Sequence, residues 1–326
     1  MNISVIFTGG TIGSLTKKEW VGIDETTNYM LLRDFKQRDD DIDFQISSPY
    51  SILSENLSAT ELNALQEEIL KQLKNNPNGI IVTHGTDTLQ YAAAAVEYAF
   101  ADTNIPIVFV SADYPLDNPQ TNGYINFEAA VELIKSGKSK GVFVSYKNEN
   151  ESETKIHVAS RMLQHRENSA DLHSIGDSVY AGYIDGKLTF YDVKLSEYIK
   201  SIGKVCYKEN SHILSIESAP GDIYAYSLDN VKAIILKPYH SATLNTANEG
   251  LAAFCNRAKE IGIPVFVSDV KSGINYESSK LFDELSIRIA PYSTYVSLYM
   301  KLWAAISMEC DIAAFAQAPI ANECVE

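Results

Sequence analysis

The chain has 326 residues, with 42 Asp and Glu against 27 Lys and Arg (formal charge −15), 45% hydrophobic residues and four cysteines. With a mean hydropathy of −0.11 and a pI near 4.9, this is the profile of a soluble globular protein, which excludes a disordered chain, a collagen, a disulfide scaffold and a membrane bundle. The acidic balance repels phosphate backbones and anionic membranes, so neither nucleic acid nor a membrane is an expected partner.

The N-terminus runs Met1-Asn2-Ile3-Ser4-Val5-Ile6-Phe7 straight into Thr8-Gly9-Gly10. It has no basic n-region and no apolar stretch long enough for a signal peptide, and it reads as the first strand of the mature fold. The longest apolar window, residues 91–100, is Ala-rich and interrupted by Glu97, well short of the roughly 20 residues a membrane span requires. A cytoplasmic location is the default expectation.

Residues 1–145 alternate short apolar runs with segments of helical period, the pattern of βαβ units. Residues 3–7, 79–83, 105–110 and 141–146 are rich in Ile, Val and Phe, as strands buried on both faces of a parallel sheet must be. Between them, residues 60–74 place Leu62, Leu65, Ile69 and Leu73 at helical spacing, and residues 91–100 and 127–134 are read as helices in the same way. Ser58 followed by Glu61 predicts a capping box. Residues 147–155, charged and rich in Asn and Glu, suit an exposed hairpin or loop tip.

Residues 176–212 are rich in Tyr, Lys and Gly and read as a hairpin that leads into a linker. After it the alternation resumes, with strands at 213–216, 233–236 and 265–267 and helices at 251–261 and 295–306. A single core stops growing at about 250–300 residues. The expected organisation is therefore α/β: a larger N-terminal parallel-sheet domain over residues 1–190, a linker over 191–211 and a smaller C-terminal α/β domain over 212–326.

The first strand ends in Thr8-Gly9-Gly10-Thr11-Ile12-Gly13-Ser14, a Gly-rich turn at the strand end where open α/β sheets place their ligands. A dinucleotide fingerprint would need a glycine at position 11, and no lysine follows to make a phosphate loop. Position 11 instead offers a hydroxyl, which attacks a carbonyl when neighbouring groups take its proton and backbone N–H groups hold the oxyanion. Thr83-His84-Gly85-Thr86-Asp87-Thr88 repeats the strand-to-turn arrangement before a helix near Leu89. Two hydroxyls and a carboxylate there can grip the charged groups of an amino acid. Taken singly, each threonine also serves as a helix cap.

Cys206, Cys255, Cys310 and Cys324 lack zinc or disulfide spacing, and they read as small, buried, reduced thiols. The six histidines form no metal pattern. His84 is read as a hydrogen-bonded structural group rather than a base. No metal or organic cofactor is expected.

Four landmarks together are similar to the bacterial-type L-asparaginase family, and to its cytoplasmic branch more than its periplasmic one: Thr8 to Gly13, His84 to Thr88, Ser111-Ala112-Asp113-Tyr114-Pro115-Leu116, and Tyr239-His240-Ser241-Ala242-Thr243. The resemblance covers about residues 1–310. It implies Thr11 as the nucleophile and Thr86 with Asp87 as the pair that binds substrate and supports catalysis. It also implies Ser54 as the partner of the substrate carboxylate, although from its own surroundings Ser54 could equally be an ordinary loop serine. Ser54, Glu55, Gly85 and Gly10 are the expected substrate contacts. The implied substrate is a small amino-acid amide, and the implied assembly is a homotetramer or homodimer in which a partner copy supplies an acidic side chain. Glu277, after Asn275-Tyr276, is the candidate for that acid, with a solvated loop carboxylate as the alternative.

Two positions depart from the family pattern. The catalytic lysine that follows an arginine by three residues is replaced by Gln164 in Ala159-Ser160-Arg161-Met162-Leu163-Gln164. The mobile-loop tyrosine is replaced by Trp20, with Tyr29 some nine residues later as a loose substitute. Either a shifted loop lets Lys155 or Tyr29 restore the missing groups, or the site is divergent. A glutamine exchanges no proton, so turnover would then be slowed by about 10²–10⁴-fold. A non-catalytic amino-acid binding protein and a nucleotide-binding dehydrogenase are the alternatives from other classes.

Overall fold

The computed structural model describes residues 1–17, 20–24, 26–36, 41–166, 168–196, 200–209, 212–271 and 276–325. They form two compact units, residues 1–204 with 320–322 and residues 205–319 with 323–326. The architecture is the expected α/β one.

In the first unit the elements are, in order, β1 (Asn2–Phe7), β2 (Ser14–Lys17), β3 (Trp20–Ile23), α1 (Thr26–Lys36), β4 (Asp43–Ser47), α2 (Ala59–Leu73), β5 (Gly79–Thr83), α3 (Leu89–Phe100), β6 (Pro106–Val110), α4 (Gly123–Lys135), β7 (Gly141–Lys147), β8 (Thr154–Val158), β9 (Val179–Ile184) and β10 (Lys187–Phe190). One eight-stranded sheet runs β10-β9-β8-β7-β6-β5-β1-β4. Strands β4, β1, β5, β6 and β7 are parallel, and β8, β9 and β10 continue the sheet antiparallel. The central strands β5 and β6 are buried along their whole length, which explains why they read as unbroken apolar runs.

On one face Ile3, Val5 and Phe7 pack with Leu31, Leu32 and Phe35 of α1 and with Phe127, Val131 and Ile134 of α4. On the other, Ser4 Oγ donates to Gln72 Oε1 of α2 at 3.0 Å. Ser58 and Glu61 form the expected capping box at the start of α2. Residues 147–155 do form a hairpin, but β7 and β8 reach into it from both sides. Its first turn residue is not exposed. Asn148 is buried, donating from Nδ2 to Leu172 O at 3.0 Å and accepting from Leu172 N at 2.8 Å.

The second unit contains β11 (Ile213–Glu217), β12 (Ala233–Lys237), α5 (Glu249–Glu260), β13 (Val265–Val267), β14 (Ile287–Ile289), α6 (Tyr295–Ser307) and α7 (Ile312–Gln317). Its four strands form a parallel sheet in chain order. Alternate residues of β12 separate its two faces, Ile234 and Leu236 against α5 and Ala233 and Ile235 against α6.

Candidate active site

Strands β1 and β5 are neighbours, with Phe7 level with Thr83, yet the chain leaves β1 for β4 on one flank and β5 for β6 on the other. Right-handed crossovers in opposite directions lie on opposite faces of the sheet, which opens a crevice at the carboxyl ends of the two strands. Both threonine turns fall there.

The first turn is built by backbone contact. Thr8 Oγ1 donates to Thr83 O at 2.6 Å, Gly10 N donates to Ile52 O at 2.9 Å, and Ile52 N donates to Thr8 O at 3.1 Å. Gly10 adopts φ 74° and ψ −172°, a conformation that side chains avoid. A Cβ on it would stand 2.3 Å from Gly85 N and Cα, and one on Gly85 would stand 2.5 Å from Ser54 Oγ. Residues 8–11, 52–54 and 84–87 therefore meet at contact distance, and only glycine permits the approach. Half-buried Thr11 opens the short 3₁₀ turn Thr11–Gly13 beside this junction.

Across the junction, Thr86–Thr88 form a second 3₁₀ turn that runs into α3. Thr86 is half-buried and Asp87 exposed. Ser54, 4% exposed, donates from Oγ to Asp87 Oδ2 at 3.3 Å, while Thr88 Oγ1 donates to Ser54 O at 2.7 Å. Glu55 is the next residue on the turn Ser54–Asn56 and points into solvent. The crevice thus gathers Gly10, Thr11, Ser54, Gly85, Thr86 and Asp87: hydroxyls for attack, a carboxylate for a cationic amine, and tightly fixed backbone for an oxyanion.

A buried polar layer supports the second turn. His84 N donates to Val110 O at 2.9 Å, Ser111 Oγ to His84 O at 2.7 Å, and Asn126 Nδ2 to Ser111 O at 2.9 Å. Ser111 lies within a sequence landmark, whereas Asn126 does not; the signal for it is an amide on the otherwise apolar face of α4. His84 is 1% exposed, and burial pushes its pKa down to about 4. With Nδ1 2.9 Å from Gly85 O, the neutral ring is a structural donor, as expected.

The remaining candidates are not drawn into the crevice by any described contact. Gln164 is exposed. Lys155 pairs with Glu151 at 2.7 Å. The side chains of Trp20 and Tyr29 lie outside the described residues, as does Asn275. Glu277 opens the exposed turn Glu277–Leu281 of the second unit. The reading of all four cysteines as buried is corrected: Cys255 is buried, Cys206 and Cys310 are exposed and Cys324 is intermediate, because the last three stand outside the apolar faces of helices and strands. Among the described residues no group of three or more His, Cys, Asp or Glu could hold a metal ion. No helix among them is long and apolar enough to cross a membrane.

The model of the asparaginase N-terminal domain matches residues 2–195. A glutamyl-tRNA(Gln) amidotransferase component from Methanosphaera stadtmanae is 25% identical over 323 residues, covering 93% of this chain and 72% of that protein. Its namesakes from other archaea match over less than half of their own length. The thermostable L-asparaginase from Thermococcus kodakarensis superposes with a TM-score of 0.80 at 18% identity, covering 100% of both chains. A protein described as a probable cytoplasmic L-asparaginase from Campylobacter jejuni does so with a TM-score of 0.77 at 22% identity, covering 97% of this chain and 98% of that one. These two likenesses show the fold.

Proposed function

Because the chain belongs to the asparaginase family, we propose that it is an amidohydrolase that converts L-asparagine and water to L-aspartate and ammonia. The observation that carries this reading is the contact of Gly10, Gly85 and Ser54, which brings Thr11 to the same crevice as Thr86 and Asp87. Thr11 Oγ attacks the amide carbon, and backbone N–H groups of the two turns hold the oxyanion. The C–N bond breaks as nitrogen takes a proton, and water then cleaves the acyl-enzyme. Ser54 holds the substrate carboxylate and Asp87 its ammonium, with Glu55 at the rim.

The same reading makes the protein a homotetramer or homodimer in which Glu277 of one copy serves the site of another. It places the protein in the cytoplasm, in line with its likeness to a protein described as cytoplasmic. A second reading follows from the match to an amidotransferase component over 93% of this chain: the hydrolysed amide is that of glutamine, and the ammonia passes to a partner protein. The charge of −15 opposes direct contact of this chain with RNA.

Ammonia release from L-asparagine and L-glutamine, each measured beside binding by calorimetry, separates these readings. Faster release from asparagine supports the first, and faster release from glutamine supports the second. Binding of either amide with no release identifies a protein that retains the pocket without the reaction.

A further inference from the structure

The second unit carries a cleft of about 470 Å³, a volume suited to a small molecule. It opens at the amino ends of β12, β13 and β14, and all its lining residues fall within 231–313, so it shares none with the crevice of the threonine turns. Much of its wall is apolar: Ile261, Ile263 and Pro264 between α5 and β13, and Ile312 with Ala313 at the start of α7. Ile261, just after α5, is 60% exposed.

Three cations line the same cleft: Lys232 just before β12, Lys259 in the last turn of α5, and Arg288 on β14. All three are exposed, and none forms an ion pair among the described residues. Asp311 is the one carboxylate among the lining residues, and it already accepts from Ala314 N at 3.0 Å. In a chain of formal charge −15, three unpaired cations around one apolar cleft attract an anion that the protein does not itself supply. The end of α5 does not oppose this. Gly262, at φ 78°, donates from N to Lys259 O at 3.1 Å, and Ile263 N donates to Ala258 O at 2.9 Å, a Schellman turn that engages the electronegative carbonyls of the last turn.

We propose that this cleft binds a small organic anion, a carboxylate or a phosphate carried on an apolar body. The guanidinium fork of Arg288 suits either group, and Lys232 and Lys259 add point charges. The apolar body displaces water from Ile261, Ile263 and Ile312. Such a site is independent of the amidohydrolase reading.

Cys310 lines the cleft and is exposed, whereas Cys206 is exposed without lining it, which provides a local reporter and its control. The full chain is titrated by calorimetry with octanoate, phenyl phosphate, inorganic phosphate and octanol, and alkylation of both thiols by iodoacetamide is followed by mass spectrometry with and without each compound. Octanoate or phenyl phosphate is expected to bind with a Kd below about 1 mM, at least about tenfold tighter than inorganic phosphate or octanol. Whichever of the two binds distinguishes carboxylate from phosphate. Binding is expected to slow alkylation of Cys310 in proportion to occupancy and to leave Cys206 unaffected. Replacing the exposed side chains Lys232→Gln and Arg288→Gln together is expected to weaken binding by about tenfold or more. Binding of neither anion below about 10 mM overturns the site, as does binding that leaves Cys310 unprotected or survives the double replacement. Inorganic phosphate or octanol bound as tightly as the organic anions overturns the pairing of charge with an apolar body.

Discussion

A methyl group on Gly85 would stand 2.5 Å from Ser54 Oγ, 2.6 Å from Ser54 Cβ and 3.0 Å from Gly10 Cα, so Gly85→Ala must push Ser54 away from Asp87 or part the two threonine turns. Overpacking of this kind costs about 1–3 kcal/mol, and a displacement of about 1 Å at a reacting centre costs about 10²-fold in rate. Gly85→Ala is therefore expected to lower ammonia release by about that factor while urea unfolding shows a folded protein. A variant with wild-type turnover would mean that the close approach is not what aligns the hydroxyls. At position 164 the family pattern calls for lysine, yet the side chain there is exposed. Gln164→Lys is expected to change kcat by less than about twofold. A large rise in kcat at constant KM would assign proton handling to position 164.

Helix α2 is the element whose ends follow most directly from its sequence. Ser58 N donates to Glu61 Oε2 at 3.1 Å, and Ser58 Oγ accepts from Thr60 N at 3.2 Å. Ser58→Ala removes the cap and is expected to cost about 1 kcal/mol, read as a lower urea midpoint with no change in turnover. Strands β5 and β6 are equally legible, since burial on both faces leaves only apolar residues in them. Strand β4 is not, because Asp43-Phe44-Gln45-Ile46-Ser47 is a sheet edge with Phe44 buried and Ile46 50% exposed, which erases both the apolar run and the alternation. Helix α1 is hidden for a related reason: Leu31, Leu32 and Phe35 are its buried contacts, too few among polar neighbours to stand out as a stripe. Within the site, the glycines and threonines announce themselves by spacing. The segment before Gln164 is held by hydrogen bonds that Ser160, Arg161 and Leu163 donate to Glu97, Asn322, Lys194 and His173, and no local pattern encodes them.

At the scale of the molecule, two buried imidazoles shape the response to acid. Burial lowers the pKa of His84 to about 4 and that of His157 to about 3, against roughly 6.5 in the unfolded chain. As pH falls through 6.5 the unfolded state takes up protons that the native state refuses. Stability present at pH 7 is therefore lost between about pH 6.5 and 4, at up to ~1.4 kcal/mol per pH unit for each ring. The urea midpoint is expected to fall over that window, and less steeply in His157→Gln; parallel slopes in the two proteins would remove His157 from the effect. Light scattering at micromolar concentration is expected to show a homotetramer or homodimer, and a monomer would count against a partner-supplied Glu277. The proposed reaction depends above all on its nucleophile. Ammonia release by Thr11→Ala, set beside wild type under identical conditions and with folding confirmed by urea unfolding, is expected to drop by about 10³-fold or more, whereas wild-type turnover in that variant would take Thr11 out of the reaction and the proposed mechanism with it.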